Sequence, residues 1–184
     1  SIITSIHSDD NGITWERGDI VCRHDDNIDG TILINPSETI PVQLEDSSVM
    51  LNIRSESEID RRLIAISPDG SSNWKIRGFD NALLEPVCMA SILKSNQPSE
   101  NEFRDIIFIN PDNLENTMIP EGHNLRHDRK RLSAKLSFDD AKTWPVNKVI
   151  EEGPSGYSDV AQLKSGEFIC IYECEIVERI GDDK

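Results

Sequence analysis

Three copies of one short turn motif constrain the fold of this chain more than any other feature. Box 1 is SDDNGITW at Ser8–Trp15, box 2 is SPDGSSNW at Ser67–Trp74, and box 3 is SFDDAKTW at Ser137–Trp144. The starts lie 59 residues apart (8 to 67) and then 70 apart (67 to 137), a spacing typical of repeat architectures. In such a turn the aspartate accepts backbone N–H hydrogen bonds, the glycine adopts a positive φ, and the tryptophan packs over the hairpin. The boxes therefore predict repeated β-hairpins, not chemistry.

Boxes 2 and 3 depart from the pattern of box 1. In box 2, Ser71 stands at the glycine position and Asn73 at the threonine position, and in box 3 Ala141 replaces the glycine. We expect these turns to form nevertheless, at the rim of the fold. The box aspartates Asp10, Asp69 and Asp139 are expected to form hydrogen bonds within their own turns, so we assign no metal to them.

Short apolar runs bounded by turn residues lie between the boxes and predict β-strands. No amphipathic helix of any length is evident. Many short strands with a repeated hairpin indicate an all-β fold, a β-propeller of four-stranded antiparallel blades. At about 40–50 residues per blade, 184 residues make about three to four blades, and we expect about three. The predicted strands are Ser48–Ser55, Arg61–Ser67, Arg104–Asn110, Arg131–Ser137 and Glu167–Glu173.

Composition excludes some classes of function. A net charge of −15 is the wrong sign for binding nucleic acid, whose backbone phosphates attract basic surfaces. No run of 18 apolar residues predicts a membrane span. The four cysteines form no C-x-x-C pair and have no histidine at ligand spacing, so we expect neither a zinc site nor another cofactor.

Beyond the boxes, four segments in order resemble the exo-sialidases (neuraminidases), which are six-bladed propellers with aspartate boxes on their outer rim. GPSGYSDV is the most specific of the four, because it resembles the family segment that carries the nucleophilic tyrosine. The resemblance implies a retaining exo-α-sialidase that releases terminal sialic acid from glycoconjugates. The segments are SETIPVQLEDSSVMLNIRS (Ser37–Ser55), RKRLSAKLSFDDAKTWP (Arg129–Pro145), GPSGYSDV (Gly153–Val160) and FICIYE (Phe168–Glu173).

The resemblance also implies roles for four residues. Tyr157 would be the nucleophile and Glu38 the base that activates it, because a phenol with a pKa of about 10 is a poor nucleophile at neutral pH. Arg54 and Arg129 would bind the substrate carboxylate through paired N–H donors. A neutral tyrosine suits this substrate, because the carboxylate on its anomeric carbon would repel an Asp or Glu nucleophile.

Two of these assignments leave alternatives open. Arg126 and Arg131 lie close enough to Arg129 to compete for its role, and Glu45 lies near Glu38 on a stretch whose register is complicated by Pro41. Glu173 matches a recurrent family glutamate to which we assign no role.

The order of the segments is that of the C-terminal half of a sialidase propeller, so we expect residues 1–184 to be that half, without the N-terminal blades. The family's general acid and first arginine have no counterpart here, and the isolated chain is expected to be inactive. Its partners would be sialylated glycans and the missing half of the propeller. A secreted or periplasmic location is implied by the resemblance alone.

Two alternatives remain open. A non-catalytic aspartate-box propeller could bind glycan or protein, and a related glycosidase of the same fold could act on another acidic sugar.

Overall fold

The computed structural model describes residues 1–96, 105–117 and 126–174, and the regular structure in these residues consists of β-strands. Among them no helix is long and apolar enough to cross a membrane. The strands are β1 (Ile2–His7), β2 (Glu16–Arg23), β3 (Asn27–Ile28), β4 (Thr31–Ile32), β5 (Ser37–Gln43), β6 (Val49–Arg54), β7 (Arg61–Ser67), β8 (Lys75–Leu84), β9 (Ser91–Lys94), β10 (Ile106–Pro111), β11 (Lys130–Ser137), β12 (Val146–Gln162) and β13 (Phe168–Cys174).

The strands form propeller blades in chain order. Blade A is the antiparallel sheet β5-β6-β7-β8, and blade B consists of β9, β10, β11 and the first part of β12. The long strand β12 then passes from blade B into the next sheet, which we name blade C, where residues 155–162 pair with β13. At the other end of the chain β1 pairs with β2, and β3 and β4 form a small hairpin.

Each box joins the last two strands of a sheet. Box 1 lies between β1 and β2, box 2 between β7 and β8, and box 3 between β11 and β12. The expected all-β propeller with a repeated box hairpin is thus confirmed, with two complete blades and a strand pair on either side of them.

The core lies between blades rather than under one face of a single sheet. Phe108 and Ile106 of β10 pack toward blade A with Met50 and Ile64, whereas Ile107 of the same strand packs toward blade C. Because successive side chains of a strand point to opposite faces, a blade covered on both faces needs apolar residues at consecutive positions. The run IIFI in β10 meets this requirement.

The predicted strands that fall within the described residues are confirmed, although Arg104 of the predicted run lies outside them. Strand β6 is buried on both faces, since Met50, Leu51, Asn52 and Ile53 are buried at consecutive positions. The neighbouring blade covers the second face, and buried Arg62 donates to the Asn52 side-chain oxygen at 2.6 Å.

Box 2 forms its turn with a shift of one residue. In box 1 the Ser8 hydroxyl accepts the Gly12 N–H, four residues on, whereas in box 2 the Ser67 hydroxyl accepts the Gly70 N–H, three residues on. Gly70 has a φ of +76°, and Ser72 takes the place of the threonine by donating to Asp69 at 2.7 Å. The residue at position 71 therefore needs no glycine, and Asn73 does not replace the threonine.

Candidate active site

The four side chains singled out in the sequence lie together at one end of blades A, B and C. The Tyr157 hydroxyl donates a short hydrogen bond to Glu38 Oε1. Glu38 Oε2 lies 3.2 Å from Nε of Arg54, and the Arg129 guanidinium lies 5.3 Å from the centre of the Tyr157 ring. Tyrosine and glutamate are 119 residues apart in the chain, so this contact depends on the packing of three blades.

The boxes and this cluster lie at opposite ends of the same strands. Arg54 ends β6 and pairs with Ser37, while Val49 at the other end of β6 pairs with Ser67 of box 2. In blade B, Arg129 immediately precedes β11, and box 3 begins at Ser137, the last residue of β11. At about 3.3 Å per residue, the eight residues of β11 separate the two by roughly 25 Å.

Irregular strand pairing accompanies three of the four residues. The pairing of β5 with β6 shifts between Ser37 and Ile40, where Glu38 has a φ of +28°. The pairing of β12 with β13 shifts between Ser155 and Ser158, which brackets Tyr157.

The third irregularity follows Arg129 directly. The pairing of β11 with β12 shifts between Lys130 and Leu132, where Arg131 has a φ of +61°. A bulge bends a strand and redirects its side chains, and a positive φ is strained for any residue other than glycine. These bulges orient the site residues in ways that a regular ladder would not.

The two arginines are held by neutral groups as well as by Glu38. Arg54 donates through Nη1 to the Ser37 hydroxyl at 2.5 Å and through Nη2 to the Val87 carbonyl at 3.5 Å. Arg129 donates to the same Val87 carbonyl through its own Nη2. The Nε of Arg129 is buried without a hydrogen-bond partner among the described residues, whereas the buried Nε of Arg54 faces Glu38 Oε2 in an ion pair. Ser37 and Val87 were missed at the sequence level, because an ordinary serine and valine carry no signal for this contact.

The local electrostatics keep Tyr157 protonated at rest. The hydrogen bond to Glu38 raises the pKa of the Tyr157 phenol, with burial and the Glu38 charge adding to the effect, while Arg129 and Arg54 oppose it. The phenol proton is therefore shared with a carboxylate that can accept it, and two cations lie near the oxygen that would become negative.

The competing residues lie elsewhere. Arg126 forms an ion pair with Asp60, and Arg131 lies half-exposed with Nε 3.9 Å from Glu152. Glu45 lies 2.6 Å from Lys94. Of the three candidate arginines, Arg129 is the one in contact with Tyr157, and of the two glutamates it is Glu38.

Glu173 supports the backbone of the tyrosine. Its Oε2 accepts the Tyr157 N–H at 3.1 Å. A Cβ atom at Gly156 would lie 2.6 Å from the same oxygen, so the close approach of Glu173 requires glycine there. Gly156 and Tyr157 thus act together with Glu173 from the next strand. Among the described residues no group of three or more His, Cys, Asp or Glu side chains could hold a metal ion.

Most of the chain matches a known family model. The model described as BNR repeat-like domain matches residues 3–170. The chain therefore belongs to the BNR-repeat β-propeller family, and the resemblance to sialidases expected from the sequence is confirmed by the relatives below.

The similar proteins are sialidases. A sialidase from Micromonospora viridifaciens is 28% identical over 172 residues, covering 92% of this chain and 23% of the relative. The solved structure of the Hadza microbial sialidase Hz136 matches with a TM-score of 0.67 and 26% identity, over 92% of this chain and 29% of that one. The chain thus spans about a quarter of the length of these proteins.

A third match is the Trypanosoma rangeli sialidase in complex with sialic acid. Its TM-score is 0.60 at 18% identity, and the match covers 96% of this chain and 25% of that one. This similarity supports the propeller fold.

Proposed function

We propose that the protein to which this chain belongs is a retaining exo-α-sialidase, with Tyr157 as nucleophile and Glu38 as its base. The observation that carries the proposal is the hydrogen bond from the Tyr157 hydroxyl to Glu38, with Arg54 and Arg129 on either side of the pair. A tyrosine hydrogen-bonded to a carboxylate is the arrangement expected of an activated nucleophile.

In the first step the phenol oxygen attacks the anomeric carbon of a terminal sialic acid while its proton moves to Glu38. The glycosidic C–O bond breaks, its electron pair stays on the departing oxygen, and that oxygen takes a proton from a general acid. Water then attacks the anomeric carbon and gives a proton to the deprotonated general acid, the tyrosyl C–O bond breaks, and Glu38 returns its proton to the phenolate. Two inversions leave the configuration retained.

The arginines would recognise the substrate carboxylate. Guanidinium groups bind carboxylates through paired N–H donors and remain charged at any physiological pH. The buried Nε of Arg129, which has no hydrogen-bond partner among the described residues, supports this role. The local field of these cations decides the interaction, because the acidic groups that dominate the net charge are distant and screened by salt.

We also propose that residues 1–184 are the C-terminal half of a six-bladed propeller. The large apolar side chains exposed on β1 and β13, among them Ile6 at 65% and Ile171 at 74%, support this arrangement because a neighbouring blade would cover them. The general acid and a third arginine would come from the N-terminal half, so the isolated chain should not turn over substrate.

The test is hydrolysis of a 4-methylumbelliferyl sialoside by the natural full-length protein. Tyr157→Phe should lower turnover about 10³-fold or more, because no oxygen remains to form the covalent intermediate. Tyr172→Phe is the matched control, since Tyr172 is the other tyrosine of the chain and its hydroxyl contacts Glu151 instead. NMR of the first-formed product should show the α-anomer.

Two outcomes would contradict the proposal. Full activity of the Tyr157→Phe variant would exclude Tyr157 as the nucleophile. Binding of sialoside by well-folded protein without any turnover would indicate the non-catalytic glycan-binding propeller instead.

A further inference from the structure

A fully buried ion pair lies directly behind the two arginines of the site. Arg62 and Glu85 each have no exposed side-chain surface, and Arg62 Nη1 lies 2.5 Å from Glu85 Oε2. Arg62 also donates to the side-chain and backbone oxygens of Asn52. Removing two charges from water is costly, so a buried pair with this many hydrogen bonds points to a role other than stability alone.

The ion pair forms hydrogen bonds with one residue of the segment between blades A and B. Glu85 Oε1 accepts the N–H of Cys88 at 2.9 Å, and Arg62 Nη1 donates to the carbonyl of Cys88 at 3.1 Å. Both backbone polar groups of Cys88 are thus bound to the buried ion pair.

The peptide unit that joins Val87 to Cys88 connects the ion pair to the two arginines of the site. A peptide unit is planar, and its N–H and C=O point in opposite directions. When Glu85 holds the Cys88 N–H, it therefore directs the Val87 carbonyl away from itself. That carbonyl accepts hydrogen bonds from both Arg54 and Arg129, which its two lone pairs allow.

The backbone at Val87 shows that this orientation is imposed. Val87 has a φ of +60°, and a β-branched residue in the left-handed region is a conformational outlier. Such a conformation persists only where surrounding contacts enforce it, and the buried pair supplies those contacts.

We propose that Arg62 and Glu85 are positioning residues for the substrate-binding arginines. Acting through the Val87–Cys88 peptide, they place one carbonyl between Arg54 and Arg129 and so fix the two guanidinium groups relative to each other. This inference rests on the proposed function for its substrate, a carboxylate-bearing sugar. A preset pair of cations loses less freedom on binding a carboxylate than two mobile ones.

The test uses the double variant Arg62→Met/Glu85→Leu of the natural full-length protein. Replacing a buried ion pair by apolar residues leaves no unpaired charge, so the protein is expected to fold. The peptide is released, and KM for the 4-methylumbelliferyl sialoside should rise about tenfold, the effect of one lost charge-assisted hydrogen bond. Turnover at saturation should stay within about threefold, because the carboxylate is bound alike in the ground and transition states.

The matched control is a second ion pair that is mostly shielded from water and contacts none of the four site residues. Lys135 of β11 is buried and lies 2.7 Å from half-buried Asp112, which follows β10. Lys135→Met/Asp112→Leu should also change stability but leave KM unchanged. An equal rise of KM in both double variants would show that the effect comes from a general loss of rigidity in the blades, and it would overturn the inference.

A milder variant provides the test if the double variant Arg62→Met/Glu85→Leu does not fold. Arg62→Lys keeps the charge opposite Glu85 but cannot bond the Cys88 carbonyl and Asn52 together, so KM should rise about threefold at unchanged turnover. Wild-type KM in Arg62→Lys would then overturn the inference.

Crystal structures separate this inference from the proposed function. If the wild-type protein hydrolyses no sialoside, the proposed function fails, yet the structure of a folded variant still decides the positioning role. Displacement of the Arg54 and Arg129 guanidinium groups from the residue 87 carbonyl supports it, and unchanged positions overturn it.

Discussion

The carboxylates of the boxes and the carboxylate of Glu38 occupy contrasting environments in the same blades. Asp10 of box 1 accepts hydrogen bonds from the N–H groups of Ile13 and Thr14 and from two hydroxyl groups, all within four residues. Glu38 instead meets Arg54 across a bulge and Tyr157 from another blade. The box carboxylate completes its own turn, whereas Glu38 depends on distant parts of the chain.

This contrast separates structural from chemical use of a charge. The hydrogen bonds of its own turn lower the pKa of Asp10 to about 2, so it remains a stable anion that holds the turn. At the other end of the blades the Glu38 carboxylate raises the pKa of Tyr157, and the pair can exchange a proton. Glu38 itself has a positive φ, whereas in boxes 1 and 3 the positive φ falls on residues that follow the aspartate, Asn11 and Asp140.

The largest expected effect is at the exchanging pair. In the natural full-length protein Glu38→Gln should lower kcat/KM for a sialoside by about 10²–10⁴-fold, the contribution of a general base. The pKa of Tyr157 should fall, because the charge that favours the neutral phenol is removed. The measurement is a pH titration of tyrosinate absorbance. The difference between Glu38→Gln and the double variant Glu38→Gln/Tyr157→Phe gives the pKa of Tyr157.

Asp139→Asn in box 3 is the matched control, since it also neutralises one carboxylate of the same blades. Its activity should stay within about twofold of wild type because the box lies at the far end of β11. Equal losses of activity in both variants would break the distinction between the two ends.

The next largest effect distinguishes two boxes from each other. Trp144 of box 3 packs against Phe108 with ring centres 5.9 Å apart and donates to Asp80 at 3.0 Å, whereas Trp15 of box 1 is 60% exposed. Trp144→Ala should lower the free energy of unfolding by about 2–3 kcal/mol and Trp15→Ala by less than about 1 kcal/mol. Urea unfolding followed by far-UV circular dichroism measures both.

If the two tryptophan variants lose the same stability, the boxes are equivalent turns and the packing of box 3 between blades contributes nothing of its own. A larger loss for Trp15→Ala would indicate that box 1 is covered in the natural protein.

The smallest effect is acid sensitivity at the rim. The pKa values of Asp10, Asp69 and Asp139 are lowered by hydrogen bonds from their own turns. Between the unfolded value near 3.8 and the folded value of about 2 for Asp10, the unfolded state binds more protons. Stability from Asp10 is thus complete above about pH 4 and is lost as the pH falls through about 2.

Urea unfolding at pH 2, 3, 4 and 6 tests this window. Asp10→Asn should flatten the acid side of the stability profile slightly. Asp9→Asn should not, because Asp9 occupies the second position of the box, where boxes 2 and 3 have Pro68 and Phe138. An unchanged profile in Asp10→Asn would show that the box carboxylate is not linked to folding.

Much of the fold could be predicted because its signals are local. Each box is completed by contacts within a few residues, and β7 and β10 are continuous apolar runs bounded by turns. The passage of β12 from blade B into blade C could not be predicted, since the run GPSG at residues 153–156 is typical of a turn. The chain instead continues there as one strand and changes its partner from β11 to β13.

The site divides in the same way. The resemblance pointed to Tyr157, Glu38, Arg54 and Arg129, and these side chains do lie together, although their roles remain proposals. The choice of Arg129 came from the resemblance alone and left Arg126 and Arg131 as alternatives, because spacing does not distinguish three arginines within six residues until the ladder and its bulge are known. Val87 was not foreseeable, since a carbonyl contributes whatever side chain it carries.

By itself the sequence determined the repeated hairpins, the all-β class and the candidate residues, because turn chemistry and strand periodicity act over a few neighbouring positions. Only the tertiary structure decided which groups meet. It packed three blades so that residues 38, 54, 87, 129 and 157 meet at one end, with a buried ion pair behind them. The physical reason is that such contacts depend on bulges, on strained backbone and on interblade packing, none of which any short stretch of sequence specifies.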